Sequence, residues 1–121
     1  MELNNETLHE AIKLYATNKK LTKQEYGPIN KWDVSNVTDM CYLFHNAYRF
    51  NKNISVWNVN MVNCMPSMFC NAKNFNQNIS TWNINNVKCM ENMFCDTSSF
   101  DREMLTWNIS DETNTYDMFN K

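Results

Sequence analysis

The chain has 121 residues and a formal net charge of −2, enough for one small domain and without the basic surplus that holds a nucleic-acid backbone or an anionic membrane. No apolar run is long enough to span a bilayer, and the opening Met-Glu-Leu-Asn-Asn-Glu lacks the basic and apolar regions of a signal peptide, so the expected location is the cytoplasm. Twenty-two asparagines stand against a single glycine, and Asn is expected to fill the tight-turn positions that need a left-handed backbone.

Residues 1–31 read as an N-terminal helical cap. Leu8, Ala11, Ile12 and Tyr15 form an apolar stripe at helical spacing. Thr7 and Glu10 have capping-box spacing, and Thr22 and Glu25 repeat it before Gly27 and Pro28. The spacing predicts a helix over 7–18 and a short helix over 22–26. His9 is expected on the solvated face.

From residue 32 onward the chain repeats. Trp32, Trp57, Trp82 and Trp107 are 25 residues apart, and Phe44, Phe69, Phe94 and Phe119 keep the same spacing, as do Phe50, Phe75 and Phe100. A fixed period of this size means a stack in which each unit buries its apolar face on its neighbours. Residues 32–121 are read as three full repeats and a C-terminal half-repeat within one domain. In the first copy Trp32 and Val34 alternate with polar residues, as in a short strand. Val37, Met40, Leu43, Phe44 and Ala47 then step by three and four, as on one helix face. Thr38 and Asn63 are candidate caps for those helices, and Pro66 fits a first helical turn. The expected fold class is an α+β repeat solenoid of strand–short-helix units with irregular returns.

Asp33, Asn58, Asn83 and Asn108, with Asn53 and Asn78, recur in columns and are read as side-chain ladders. The sequons at Asn5, Asn36, Asn53, Asn78 and Asn108 are read as by-products of the repeat. Methionines at 40, 65 and 90 and at 68, 93 and 118 share the phase of the phenylalanines, as core filling does.

Five cysteines, an odd number, are expected as free thiols. Cys64 and Cys89 share one column; His45, Cys70 and Cys95 share another. On packed helices these columns would lie about 8–10 Å apart, too far for zinc, whose bonds to sulfur are about 2.3 Å. No metal and no cofactor is expected. The last half-repeat loses apolar character at Glu112 and Thr115 but keeps Tyr116, Met118 and Phe119. That suits a C-terminal cap, or an end that stacks on another copy as an end-to-end homo-oligomer.

The pattern WDVSNVTDM, followed by a Met-Phe step and FNxNIS, resembles the 25-residue BspA-like, or mycoplasma-type lipoprotein-associated, repeat family over residues 26–121. The resemblance implies a leucine-rich-repeat-like solenoid, no enzymatic activity and no catalytic residues to carry over. Similar repeats occur intracellularly in large DNA viruses and protists, which implies a host cytoplasm if the chain is viral.

No nucleophile motif, phosphate loop or Gly-rich turn occurs. The expected function is a non-enzymatic protein–protein interaction or scaffold module with an unidentified protein partner. Columns that vary among the copies are expected to face outward. They give Tyr42, Ser67 and Asn92, then Tyr48, Lys73 and Ser98, then Arg49, Asn74 and Ser99. Tyr42, Tyr48, Arg49 and Lys73 are the candidate binding residues, because Tyr and Arg anchor interfaces. The alternatives are a carbohydrate-binding or adhesin-like protein that stacks ligands on exposed Trp, or a self-assembling structural protein.

Overall fold

The computed structural model describes residues 2–120. Helix α1 spans Asn5–Thr17 and helix α2 spans Lys19–Tyr26. The first capping box lies one turn earlier than its spacing predicts. Asn4 is the N-cap: its side chain accepts from the Thr7 N–H, and Thr7 Oγ1 accepts from the Asn4 N–H, both at 2.8 Å. Asn18 separates the helices. Its N–H closes α1 on the Leu14 carbonyl, and its side chain accepts from the Leu21 N–H to open α2. Thr22 is therefore inside α2, buried, with its hydroxyl donating to the Asn18 carbonyl rather than capping. Gly27 ends α2 at φ 77°, a backbone that side chains disfavour.

Beyond α2 the architecture departs from the expected one. Among the described residues no sheet forms, and no α-helix occurs after Tyr26. The α+β, leucine-rich-repeat-like solenoid is overturned by this finding. Each 25-residue unit is a coil of consecutive tight turns. In the first coil N–H to carbonyl bonds run three residues back from Val37 to Val34, Leu43 to Met40, Ala47 to Phe44 and Phe50 to Ala47. The second coil repeats them from Val62 to Val59, Met68 to Met65, Ala72 to Phe69 and Phe75 to Ala72.

The intervening N–H groups point sideways. Those of Met40, Tyr42, Phe44 and Asn46 donate to the carbonyls of Cys64, Pro66, Met68 and Cys70 in the next coil, at 2.8–3.0 Å. An α-helix would need those same groups for bonds four residues back. Two columns also take a left-handed backbone: Tyr42, Ser67, Asn92 and Asp117, then Asn46, Asn71 and Asp96, at φ 50–65°. A right-handed helix cannot pass through them. Neighbouring coils meet in parallel register at the single bridges Asp39–Cys64, Cys64–Cys89 and Cys89–Asn114.

The core is a set of aromatic rows running along the stack. Phe44, Phe69, Phe94 and Phe119 stack with centroids 5.4–5.6 Å apart. Phe50, Phe75 and Phe100 follow at 5.9–6.0 Å. Such offset-stacked rings add to the burial of apolar area. Each indole also ties two coils: Trp57, Trp82 and Trp107 Nε1 donate to the carbonyls of Ile29, Ile54 and Ile79. Met40, Met65, Met68, Met90 and Met93 are fully buried between the rows.

The Asx columns act locally rather than as ladders. Asp33, Asn58 and Asn83 each accept from the N–H two residues on, as do Asn53 and Asn78. Side-chain links between coils come from other positions: Asn71 donates to Asn46, and Asn51 and Asn76 accept from the N–H of Asn76 and Asp101.

Candidate functional site

Helix α1 lies across the open side of the first coil. Leu8, Ala11 and Ile12 are buried there, and Tyr15 meets Phe50 edge-on at 6.1 Å. Asn5 Oδ1 accepts from the N–H groups of Thr38 and Asp39. His9 is not a free surface residue. Its Nε2 contacts the Cys41 carbonyl at 3.0 Å and its Nδ1 contacts the Asn5 carbonyl at 2.7 Å.

A cleft of about 400 Å³ opens between α1 and the first coil. Ile12, Ala16, Phe44, Ala47 and Phe50 supply an apolar floor; Tyr15, Tyr48, Lys19 and Arg49 stand around it. A second cleft of about 400 Å³ shares Tyr15 and Lys19 and adds Lys23, Lys52 and Ile29. Four cations thus border the paired clefts, and neither is lined by a carboxylate. Lys19 Nζ lies 5.4 Å from the Tyr15 ring centroid, in reach of the ring face. Burial raises the Tyr15 phenol above its usual value.

The structure brings together two of the four candidate binding residues, Tyr48 and Arg49. Tyr42 is 58% exposed but outside the cleft, with its ring edge-on to His45 at 5.5 Å. Lys73 is exposed one coil further along, in the column of Tyr48, and lines neither cleft. Variable columns do not all face outward, since Ser67, in the column of Tyr42, is buried. Tyr15, Lys19, Lys23 and Lys52 join the clefts without being marked by the repeat. Their signal was a cluster of cations around the helical stripe, but nothing local says that α1 crosses the coil.

Trp32, Trp57 and Trp82 are 3–4% exposed, and their indole N–H groups are engaged with carbonyls. They offer no face on which a ligand stacks.

The cysteines lie closer than a helical stack would place them. Cys64 and Cys89 pair across a parallel bridge, at the spacing of adjacent strands, about 4.8 Å. The separation expected for packed helices does not apply. Cys41 Sγ lies 3.2 Å from Cys64 Sγ. Burial, helped by Asp39 and Cys64, raises the Cys41 thiol, and burial beside Cys95 pushes Cys70 up to about 11. All five cysteines are free and partly buried. Among the described residues no group of three or more His, Cys, Asp and Glu side chains is arranged to hold a metal ion. Among the described residues no helix is long and apolar enough to cross a membrane.

Comparison with known proteins gives a match along most of the chain. The model of a family described as "Mycoplasma protein of unknown function, DUF285" covers residues 12–121. No curated protein and no solved structure matches the chain significantly.

Proposed function

The chain belongs to this family of proteins of unknown function, and on that premise we propose that it is a non-enzymatic protein-interaction module whose binding face is the cleft between α1 and the first coil. One observation carries the reading: an apolar floor bordered by Tyr15, Tyr48, Lys19, Arg49, Lys23 and Lys52 with no carboxylate among the lining residues. A partner segment that combines an apolar side chain with Asp or Glu complements both features. Bare cations and phenols beside the cleft, with no acid or thiol among them, favour binding over catalysis. The 25-residue register of the bridges supports a finer place among BspA-like repeats. Five unpaired thiols support a reducing compartment such as the cytoplasm.

Selection of displayed random peptides on the purified chain tests the reading. Enriched peptides are expected to pair an aromatic or aliphatic residue with acidic ones. Tyr48→Ala with Arg49→Ala is expected to weaken their binding by about 30-fold or more, as for the loss of an interface anchor. Peptides without acidic bias, or binding indifferent to the double variant, would overturn it.

A second reading, self-assembly through the stack end, is favoured by a different observation. The N–H groups of Thr115, Asp117 and Phe119 in the last coil have no partner among the described residues, while their counterparts in earlier coils bond forward. Such a row is a template for a further extended segment. Sedimentation across a concentration series separates the two: the interaction module stays monomeric, whereas end stacking gives growing species.

A further inference from the structure

We propose that Cys41 and Cys64 are a modification site, a dithiol that closes to a disulfide with a low-molecular-weight disulfide such as oxidised glutathione and staples the first coil to the second.

The geometry brings the two sulfurs of this pair close to bonding distance. Cys64 faces Asp39 across the parallel bridge, and Cys41 stands two residues further on, so the two side chains approach diagonally. Their sulfurs are 3.2 Å apart; Cys89 also lies beside Cys64, and Cys95 beside Cys70. The coils are clamped on either side of Cys41. Met40 N–H donates to the Cys64 carbonyl and Tyr42 N–H to the Pro66 carbonyl, both at 3.0 Å. Closing the sulfurs to a bond of about 2.05 Å takes place between two coils already held together by these bonds. Both thiols are partly exposed and within reach of a small molecule.

Two exchanges complete the reaction. The Cys64 thiolate attacks one sulfur of oxidised glutathione, forms a mixed disulfide and expels a glutathione thiolate. The Cys41 sulfur then gives up its proton and attacks Cys64 Sγ, expelling the second glutathione thiolate. The two protons lost by the cysteines end on the two glutathiones. The dithiol is oxidised by two electrons and glutathione disulfide is reduced by two. Burial and Asp39 disfavour the Cys41 thiolate, which suits Cys41 to the resolving step, 3.2 Å from Cys64 Sγ. The bond closes a loop between residues 23 apart in sequence, and that loop contains Tyr42, Tyr48 and Arg49. Oxidation thus stiffens the coil beneath the cleft.

The test is incubation of the full chain with oxidised glutathione, then disulfide mapping by fragment sequencing without reduction. The expected result is a Cys41–Cys64 cross-link and a rise in Tm of about 5–10 °C. Dithiothreitol should reverse both. Cys41→Ser and Cys64→Ser should abolish the shift, and Cys70→Ser should keep it. Stable glutathionylation without a cross-link would overturn the proposal. So would cross-links chiefly between Cys64 and Cys89 or between Cys70 and Cys95, or a Cys41–Cys64 cross-link with no rise in Tm. The cross-link map is read on the unmutated chain, so it stands even if a variant folds poorly.

Discussion

The indole Nε1 of Trp57 donates to the carbonyl of Ile29 at 2.9 Å, across 28 residues of sequence. The same bond recurs from Trp82 to Ile54 and from Trp107 to Ile79, so one side chain per unit both fills the core and fastens the previous coil. Trp57→Phe removes this bond and leaves the Ile29 carbonyl with the Trp32 N–H alone, and is expected to cost about 0.5–1.5 kcal/mol. Trp107 is more exposed, and Trp107→Phe should cost less. Urea midpoints of the two variants check the order.

Tyr42 holds φ 59° in a column otherwise occupied by Ser67, Asn92 and Asp117. A bulky residue is strained there, whereas Asn tolerates the left-handed region. Tyr42→Asn is expected to raise stability by about 1 kcal/mol. Because Tyr42 lies outside the cleft, binding of selected peptides should not change. Thermal melts and a peptide titration on the same variant read both effects.

Asn5 fastens α1 to the stack by accepting from Thr38 and Asp39 N–H at 2.9 and 3.2 Å. Asn5→Ala should cost about 1–2 kcal/mol. It should also speed hydrogen exchange of the Leu8 and Ile12 amides more than that of Phe69 or Met93. Equal acceleration along the whole chain would mean that α1 and the coils unfold as one unit.

The raised thiols give the stability a sign with pH. Burial raises Cys41, Cys70 and Cys89 in the folded chain. The folded state therefore keeps protons that the unfolded state loses above about pH 9. Their contribution is complete below that pH and falls as pH rises through the folded values, about 11 for Cys70. Asp39 acts at the other end. Burial opposes its ionisation, but hydrogen bonds from Cys41, with His9 nearby, outweigh that and hold its carboxyl below the usual value. Its contribution is present above about pH 4 and is lost as pH falls through the folded value. Denaturation curves from pH 8 to 11 should show a fall that Cys41→Ser, Cys70→Ser and Cys89→Ser together reduce.

The unit length, the core columns and the need for left-handed turn residues were legible in the sequence. Trp, Phe and Met recur at fixed spacing, and apolar atoms must share one face whatever backbone carries them. The one glycine at Gly27 and the asparagines at Asn46, Asn71 and Asn92 mark half of the places where the backbone turns to positive φ; Tyr42, Ser67, Asp96 and Asp117 hold the others. Spacing places the caps one turn off, because Thr7 and Thr22 are plausible N-caps until Asn4 and Asn18 take the role.

Only the tertiary structure decided what kind of backbone the period builds. Val34, Val37, Met40 and Leu43 at intervals of three suit a helix face and a run of tight turns equally, since both bring side chains three apart to one side. The difference is where the N–H groups of Met40, Tyr42, Phe44 and Asn46 go, and their acceptors lie about 25 residues away in the next coil. The same holds for the cleft and the thiol pair. Sequence shows that Tyr48, Arg49, Cys41 and Cys64 exist. Their closeness to Lys19 or to each other follows from α1 crossing the first coil and from adjacent coils meeting at strand spacing. Local side-chain chemistry therefore determined the repeat and its core, while long-range backbone hydrogen bonding determined the fold and the candidate sites.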